Sequence, residues 1–125
     1  MKLNFVVLPE KFAIVQLPST EALPDWVSGE FYSITKTSDE TSIVCDQTIV
    51  PENVKADKDW KALKIQGPLD FSLVGILADI SSVLAKGGVS IFVISTYDTD
   101  YILVKNKDLE NAVNLLKSSG HNVLI

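Results

Sequence analysis

Gly67-Pro68-Leu69-Asp70-Phe71-Ser72-Leu73-Val74-Gly75-Ile76-Leu77 and the segment it leads to, Ile91-Phe92-Val93-Ile94-Ser95-Thr96-Tyr97-Asp98-Thr99-Asp100-Tyr101-Ile102-Leu103-Val104, decide the fold. Pro68 lacks a backbone N–H and fixes its own φ, so it closes a strand ending at Gly67 and sets up a tight turn. Asp70 can accept from the free N–H groups of a first helical turn, which makes it the expected N-cap. A helix start of this kind offers unpaired N–H donors and the positive end of a dipole to a carboxylate or phosphate. About thirty residues later, Asp98 and Asp100 flank a strand end and can supply the opposite charge.

The residues around these stretches set the element order. Trp60 to Gln66 reads as a strand. Leu73, Ile76, Leu77, Ile80, Val83 and Leu84 fall on one face of a 3.6-residue period, and Gly87-Gly88 ends that helix. Val89 to Ser95 is a strand apolar on both faces, with Tyr101 to Val104 as its hairpin partner. A second helix carries Leu109, Ala112, Val113 and Leu116 and stops at Gly120; Asn122 to Ile125 is a last short strand. The second half is therefore βαββαβ, a split βαβ or ferredoxin-like unit.

The first half repeats this order imperfectly. Leu3 to Leu8 and Phe12 to Leu17 are strands around the turn Pro9-Glu10-Lys11. Pro18-Ser19-Thr20 starts a short helix that Pro24 interrupts and Gly29 stops. Phe31 to Lys36 and Thr41 to Asp46 form a hairpin about Ser38-Asp39-Glu40. Residues 47–59 have no period and read as a connection.

The Gly67 to Leu77 and Ser90 to Val104 segments carry a resemblance to the ACT domain, and more closely to the small tandem ACT-like proteins related to the CASTOR arginine sensors. The resemblance implies an α+β fold of two ferredoxin-like (βαββαβ) ACT-type units, with antiparallel sheets and helices on one face. Residues 1–59 would form a degenerate N-terminal unit and residues 60–125 an ACT domain. It also implies a regulatory sensor that binds an amino acid or similar small metabolite at a domain or subunit interface. Carried over by position, the ligand-binding residues are Asp70, Phe71, Ser72, Leu73, Val74 and Gly75, the backbone of Ile94, Ser95, Thr96 and Tyr97, and the acidic Asp100. The arginine sensors hold four such units and this chain has room for two, so a complete site calls for a homodimer, and arginine specificity does not transfer.

Composition narrows the alternatives. The formal net charge is −5, and all eleven basic residues are lysine. With no arginine for bidentate phosphate or guanine recognition, nucleic-acid binding is not expected. Acylphosphatase shares the element order but holds phosphate with an arginine. RNA-recognition modules share it too, but need exposed aromatics where this chain is aliphatic. No apolar run approaches eighteen residues, and no basic run suits anionic lipid. The apolar start is cut by Pro9-Glu10-Lys11 and lacks the marks of a signal peptide, and the single Cys45 gives neither a disulfide nor a zinc set, so a reduced cytoplasmic setting is expected. His121 is read as a solvated loop residue, Cys45 as a core residue, and Asp98 as a solvated turn residue. No nucleophile–base pair, phosphate loop, cofactor motif or metal-ligand cluster stands out, so no enzyme, cofactor or metal is expected. The alternative to a sensor is a ligand-free ACT-type module that only oligomerises.

Overall fold

A computed structural model of the chain describes residues 2–67 and 74–125. The fold is α+β, with mixed strand pairing and two α-helices. The chain divides into two compact units. One comprises residues 1–9 together with residues 61–125, and the other runs from Glu10 to Trp60. This differs from a single cut after residue 59, because the first nine residues join the unit built by the second half.

In the larger unit, the part of β5 (Ala56–Ile65) from Lys61 onward, α1 (Ile76–Lys86), β6 (Ile91–Ser95), β7 (Asp100–Lys105), α2 (Leu109–Ser118) and β8 (Asn122–Leu124) follow the expected βαββαβ order. The N-terminal strand β1 (Asn4–Val7) lies between the first and last members of that series. It pairs antiparallel with β5, Phe5 opposite Ile65, and parallel with β8, Phe5 opposite Val123. The sheet is therefore not purely antiparallel. β6 and β7 pair antiparallel from Ile91–Val104 to Ser95–Asp100.

Alternation along the strands puts one set of apolar side chains under both helices. Phe5, Val7, Leu63, Ile65, Ile102 and Val104 pack with Ile76, Ile80 and Leu84 of α1 and with Ala112, Val113 and Leu116 of α2. Each Val, Leu, Ile or Phe among them, where fully buried, stabilises the fold by about 1.5–3 kcal/mol. Gly87, at the end of α1, admits the second helix closely: a Cβ there would meet Leu115 Cδ1 at 2.3 Å.

In the unit Glu10–Trp60, β2 (Phe12–Leu17), β3 (Ser33–Lys36) and β4 (Thr41–Asp46) form an antiparallel set, β4 lying between the other two. The first part of β5 pairs with β2 through an irregularity: Phe12 faces Trp60, but Ile14 faces Asp57. The extra residue bulges the strand, and Asp59 takes φ 65° there. Gln47 clamps it, donating from Nε2 to Asp59 Oδ1 at 3.2 Å and accepting from Asp59 N at 2.7 Å. Ala13, Val15, Ile43, Cys45 and Val50 form the core of this unit, with Trp26 and Val27 packed on it.

Three expectations need correction here. No helix forms after Pro18; residues 18–32 are turns and bends. Pro24 and the polar, glycine-containing surroundings leave no uninterrupted helical face, and Trp26 reaches the core from irregular backbone. The strand expected from Trp60 begins at Ala56, its start hidden by the charged Asp57-Lys58-Asp59 bulge. Helix α1 begins at Ile76 with Gly75 as its N-cap, in the left-handed region at φ 82°. The expected cap, Asp70, lies outside the described residues.

Candidate functional site

Of the expected ligand-binding residues, Asp70, Phe71, Ser72 and Leu73 lie outside the described residues. Val74 and Gly75 are exposed immediately before α1. The remainder sit at the β6–β7 hairpin. Ser95 and Asp100 face each other as the last cross-strand pair, and the Ser95 hydroxyl donates to Asp100 Oδ1. Both lie on the face that carries Val93 and Ile102, the face covered by the helices. Ile94 pairs with Tyr101 on the opposite face. The hairpin thus splits the expected set across the sheet.

The turn itself is closed by its threonines. Thr96 N donates to Thr99 O at 2.8 Å. Thr96 Oγ1 donates to the same carbonyl at 3.1 Å and accepts from Thr99 N at 3.2 Å. Thr99 is buried, and its hydroxyl donates to Ile65 O at 2.6 Å. That bond matters for the site. Ile65 is the last residue of β5, two residues before Gly67, so the Ser95–Asp100 hairpin is pinned to the strand end that leads into the Pro68–Gly75 segment. Tyr97, at the tip, is 83% exposed.

The opposite face adds residues that the sequence reading missed. Lys64, opposite Val6 on β1, places Nζ 5.8 Å from the centroid of the Tyr101 ring, a cation–π distance. A cavity of about 680 Å³ is lined by Asn4, Val6, Leu8, Lys64, Gln66 and Gly67, at the same strand end. The available signal was alternation: Lys64 and Gln66 are the polar members of a strand whose Leu63 and Ile65 are core.

His121 is corrected from a solvated loop residue to a buried one, 9% exposed. Its Nδ1 accepts the Leu3 N–H at 3.0 Å, and its ring stands edge-on to Phe5, centroids 5.7 Å apart. Its pKa is lowered from 6.5, chiefly by burial and then by the positive chain terminus, with Asp79 pulling the other way. Burial, and Asp46 beside it, push the Cys45 thiol up to about 11, which leaves it protonated and unreactive near neutrality. Among the described residues, no three His, Cys, Asp or Glu side chains come together as a metal site. No described helix is long and apolar enough to cross a membrane.

A family model described as the ACT domain matches residues 55–118, just over half the chain. The chain belongs to the ACT domain family. A second model, for the N-terminal domain of another family, matches residues 10–53, inside the unit Glu10–Trp60. The chain is 31% identical over 102 residues to the human protein CASTOR3P, covering 71% of this chain and 63% of that protein. It is 27% identical over 105 residues to the bovine cytosolic arginine sensor for mTORC1 subunit 1, covering 75% of this chain and 32% of the sensor. It therefore spans less than two thirds of the first of these relatives and about one third of the second. A crystal structure of an Agobacterium tumefaciens protein superposes with a TM-score of 0.94 at 40% identity, over 99% of this chain and 93% of that one. The ligand-free regulatory subunit of Thermus thermophilus aspartate kinase shares the fold, with a TM-score of 0.66 at 10% identity over 93% of this chain and 96% of that one. The bovine relative is named as a sensor and the Thermus thermophilus chain as a regulatory subunit.

Proposed function

We propose that this ACT-family chain is a regulatory sensor that binds a free amino acid between the Asp70–Gly75 segment and the Ser95–Asp100 hairpin. The observation that carries the reading is the Thr99–Ile65 bond, which holds the hairpin against the strand end leading into Pro68. A ligand carboxylate meets the N–H groups at the start of α1, and its ammonium or a basic side chain meets Asp100. The bovine relative's name, an arginine sensor, agrees with an amino-acid ligand class. In this reading the chain is two ferredoxin-like ACT-type units. The half through residue 59 is degenerate, and its leading strand β1 is lodged in the sheet of the second. The protein acts in the cytoplasm as a homodimer without enzymatic activity, since an interface site calls for a second copy.

One observation favours a second reading, a ligand-free interaction module: the hairpin's polar groups are largely satisfied by one another. Calorimetry with the twenty proteinogenic amino acids decides between them. Saturable binding is expected for at least one. Asp100→Ala should then weaken it by about 1.5–3 kcal/mol, roughly 10- to 150-fold, the scale of a hydrogen bond to a charged group. No heat with any amino acid at millimolar concentration would leave the interaction module in front. Unchanged affinity in Asp100→Ala would take that residue out of the site.

A further inference from the structure

We propose that His121 is an acid-sensitive latch on the residue that leads into β1, holding Leu3 in place only while the imidazole is neutral. Gly120 takes φ 96° after the C-cap Ser119, Gly120 N donates to Lys117 O at 3.0 Å, and His121 N donates to Leu116 O at 3.1 Å. This is a Schellman motif, in which the residue after the glycine turns back against the helix and is commonly apolar. Helix α1 ends the same way, and the equivalent residue there is Val89, buried in the core. His121 fills an apolar position with a titratable ring.

What the ring does there is specific. A backbone amide can only donate, so the Leu3 N–H bond at 3.0 Å requires Nδ1 to be unprotonated and the ring's proton to sit on Nε2. Protonation puts a second N–H in the place of the acceptor and removes the bond. Of the other ties at this end of β1, one comes from just past β5, where Gln66 N donates to Asn4 O at 2.8 Å, and two run through the residue after His121. Asn122 N donates to Leu3 O at 2.9 Å, and Asn122 Nδ2 donates to Asn4 Oδ1 at 2.8 Å. Among the described pairings, β8 has β1 as its one strand partner, so loosening residues 3–4 loosens β8 with them. The proton has a route: His121 lines a cavity of about 350 Å³ together with Leu3, Asp79, Ser82, Lys86 and Ser119. The charged groups facing it oppose one another. Asp79 on α1 favours the imidazolium, as does the carbonyl end of α2. Lys86 on α1 and the positive chain terminus oppose it, and burial opposes it most.

His121 is the one histidine in the sequence, so its ring signals report the latch without ambiguity. The test is NMR on the intact chain from pH 7.5 to 4.5, following the His121 ring titration and the hydrogen-exchange protection of the Leu3 amide, corrected for intrinsic exchange. Leu3 protection should fall at least tenfold, with its midpoint at the His121 titration, while amides of β7 keep theirs. In His121→Phe, which fills the same apolar position without an acceptor, Leu3 protection should be low and independent of pH. Three results overturn the latch: Leu3 protection flat through the titration, loss of protection in β1 and β7 together, or an imidazole that stays neutral until the whole chain unfolds. The wild-type titration decides the matter even if His121→Phe does not fold.

Discussion

The two helix exits are built alike and filled differently. After α1, Gly87-Gly88-Val89 turns the chain with Gly88 at φ 78°, and Gly88 N and Val89 N donate to Ala85 O and Leu84 O. After α2, Ser119-Gly120-His121 makes the corresponding bonds to Lys117 O and Leu116 O. The backbone solution is the same because the problem is the same: orphan carbonyls must be satisfied while the chain reverses into a strand. The residue that closes the motif differs. Val89 packs among Leu84 and its neighbours and asks for no polar partner. His121 brings a ring nitrogen into a buried place and meets the one backbone donor that suits it. A buried polar atom is tolerated where a partner is supplied and is costly where none is.

Exchanging the residues should break this symmetry unequally. Val89→His puts a larger polar ring where the described contacts are apolar. It should destabilise the fold by about 3 kcal/mol or more, through overpacking and an unpaired ring nitrogen together. His121→Val leaves the Leu3 N–H without its acceptor and should cost about 1–3 kcal/mol, partly offset by apolar packing. Urea denaturation of the two variants checks the order. Equal losses would mean that the Leu3 bond gives His121 no advantage over an arbitrary buried polar ring.

The same comparison marks how far the sequence was legible. Both helices and both exit glycines could be read from the 3.6-residue period and its stop signals, as could β2 and β4, which are bounded by turn residues. His121 reads as loop from sequence because it is polar and follows a stop glycine. The position closes a motif, and its inward direction follows from the backbone bonds rather than from side-chain polarity. The hidden start of β5 has a related cause. Asp57, Lys58 and Asp59 look like a solvated connection, and only the pairing with β2 and the Gln47 clamp make them strand and bulge. That β1 lies between β5 and β8 is a long-range pairing with no local signature. At the site, Ser95 and Asp100 are each legible as candidate ligand-binding residues, but their cross-strand pairing is not. The anchoring role of Thr99 is not legible either, because it depends on Ile65, thirty-four residues away.

A smaller effect tests whether the two motifs are equivalent in backbone terms. A Cβ on Gly88 or on Gly120 would meet nothing within 4 Å, so alanine at either site is penalised by its positive φ alone. Gly88→Ala and Gly120→Ala should each cost about 1 kcal/mol, and the two costs should agree within experimental error. A markedly larger loss for Gly120→Ala in thermal or urea unfolding would show that the His121 position depends on its turn more tightly than the Val89 position does.

The smallest expected effect is the pH dependence that only the second exit can have. His121 has a folded-state pKa below its ordinary value of 6.5, chiefly through burial. The folded state therefore binds its proton less readily than the unfolded state does. Where the unfolded state binds more protons, stability rises with pH. The contribution of the neutral ring is thus fully present above about pH 6.5 and is lost as pH falls from there toward the lower folded value. Many carboxylates also titrate below pH 5, so the informative quantity is the stability of wild type minus that of His121→Val, measured by urea denaturation at each pH. That difference should be constant from pH 8 to 7 and should shift against the wild type between pH 6.5 and 5. Val89→Ala, at the exit with no titrating group, should show a constant difference from wild type over the same range. A wild-type minus His121→Val difference that does not change with pH would mean that the ring is equally easy to protonate in the folded and unfolded chains. The two exits would then differ in packing alone.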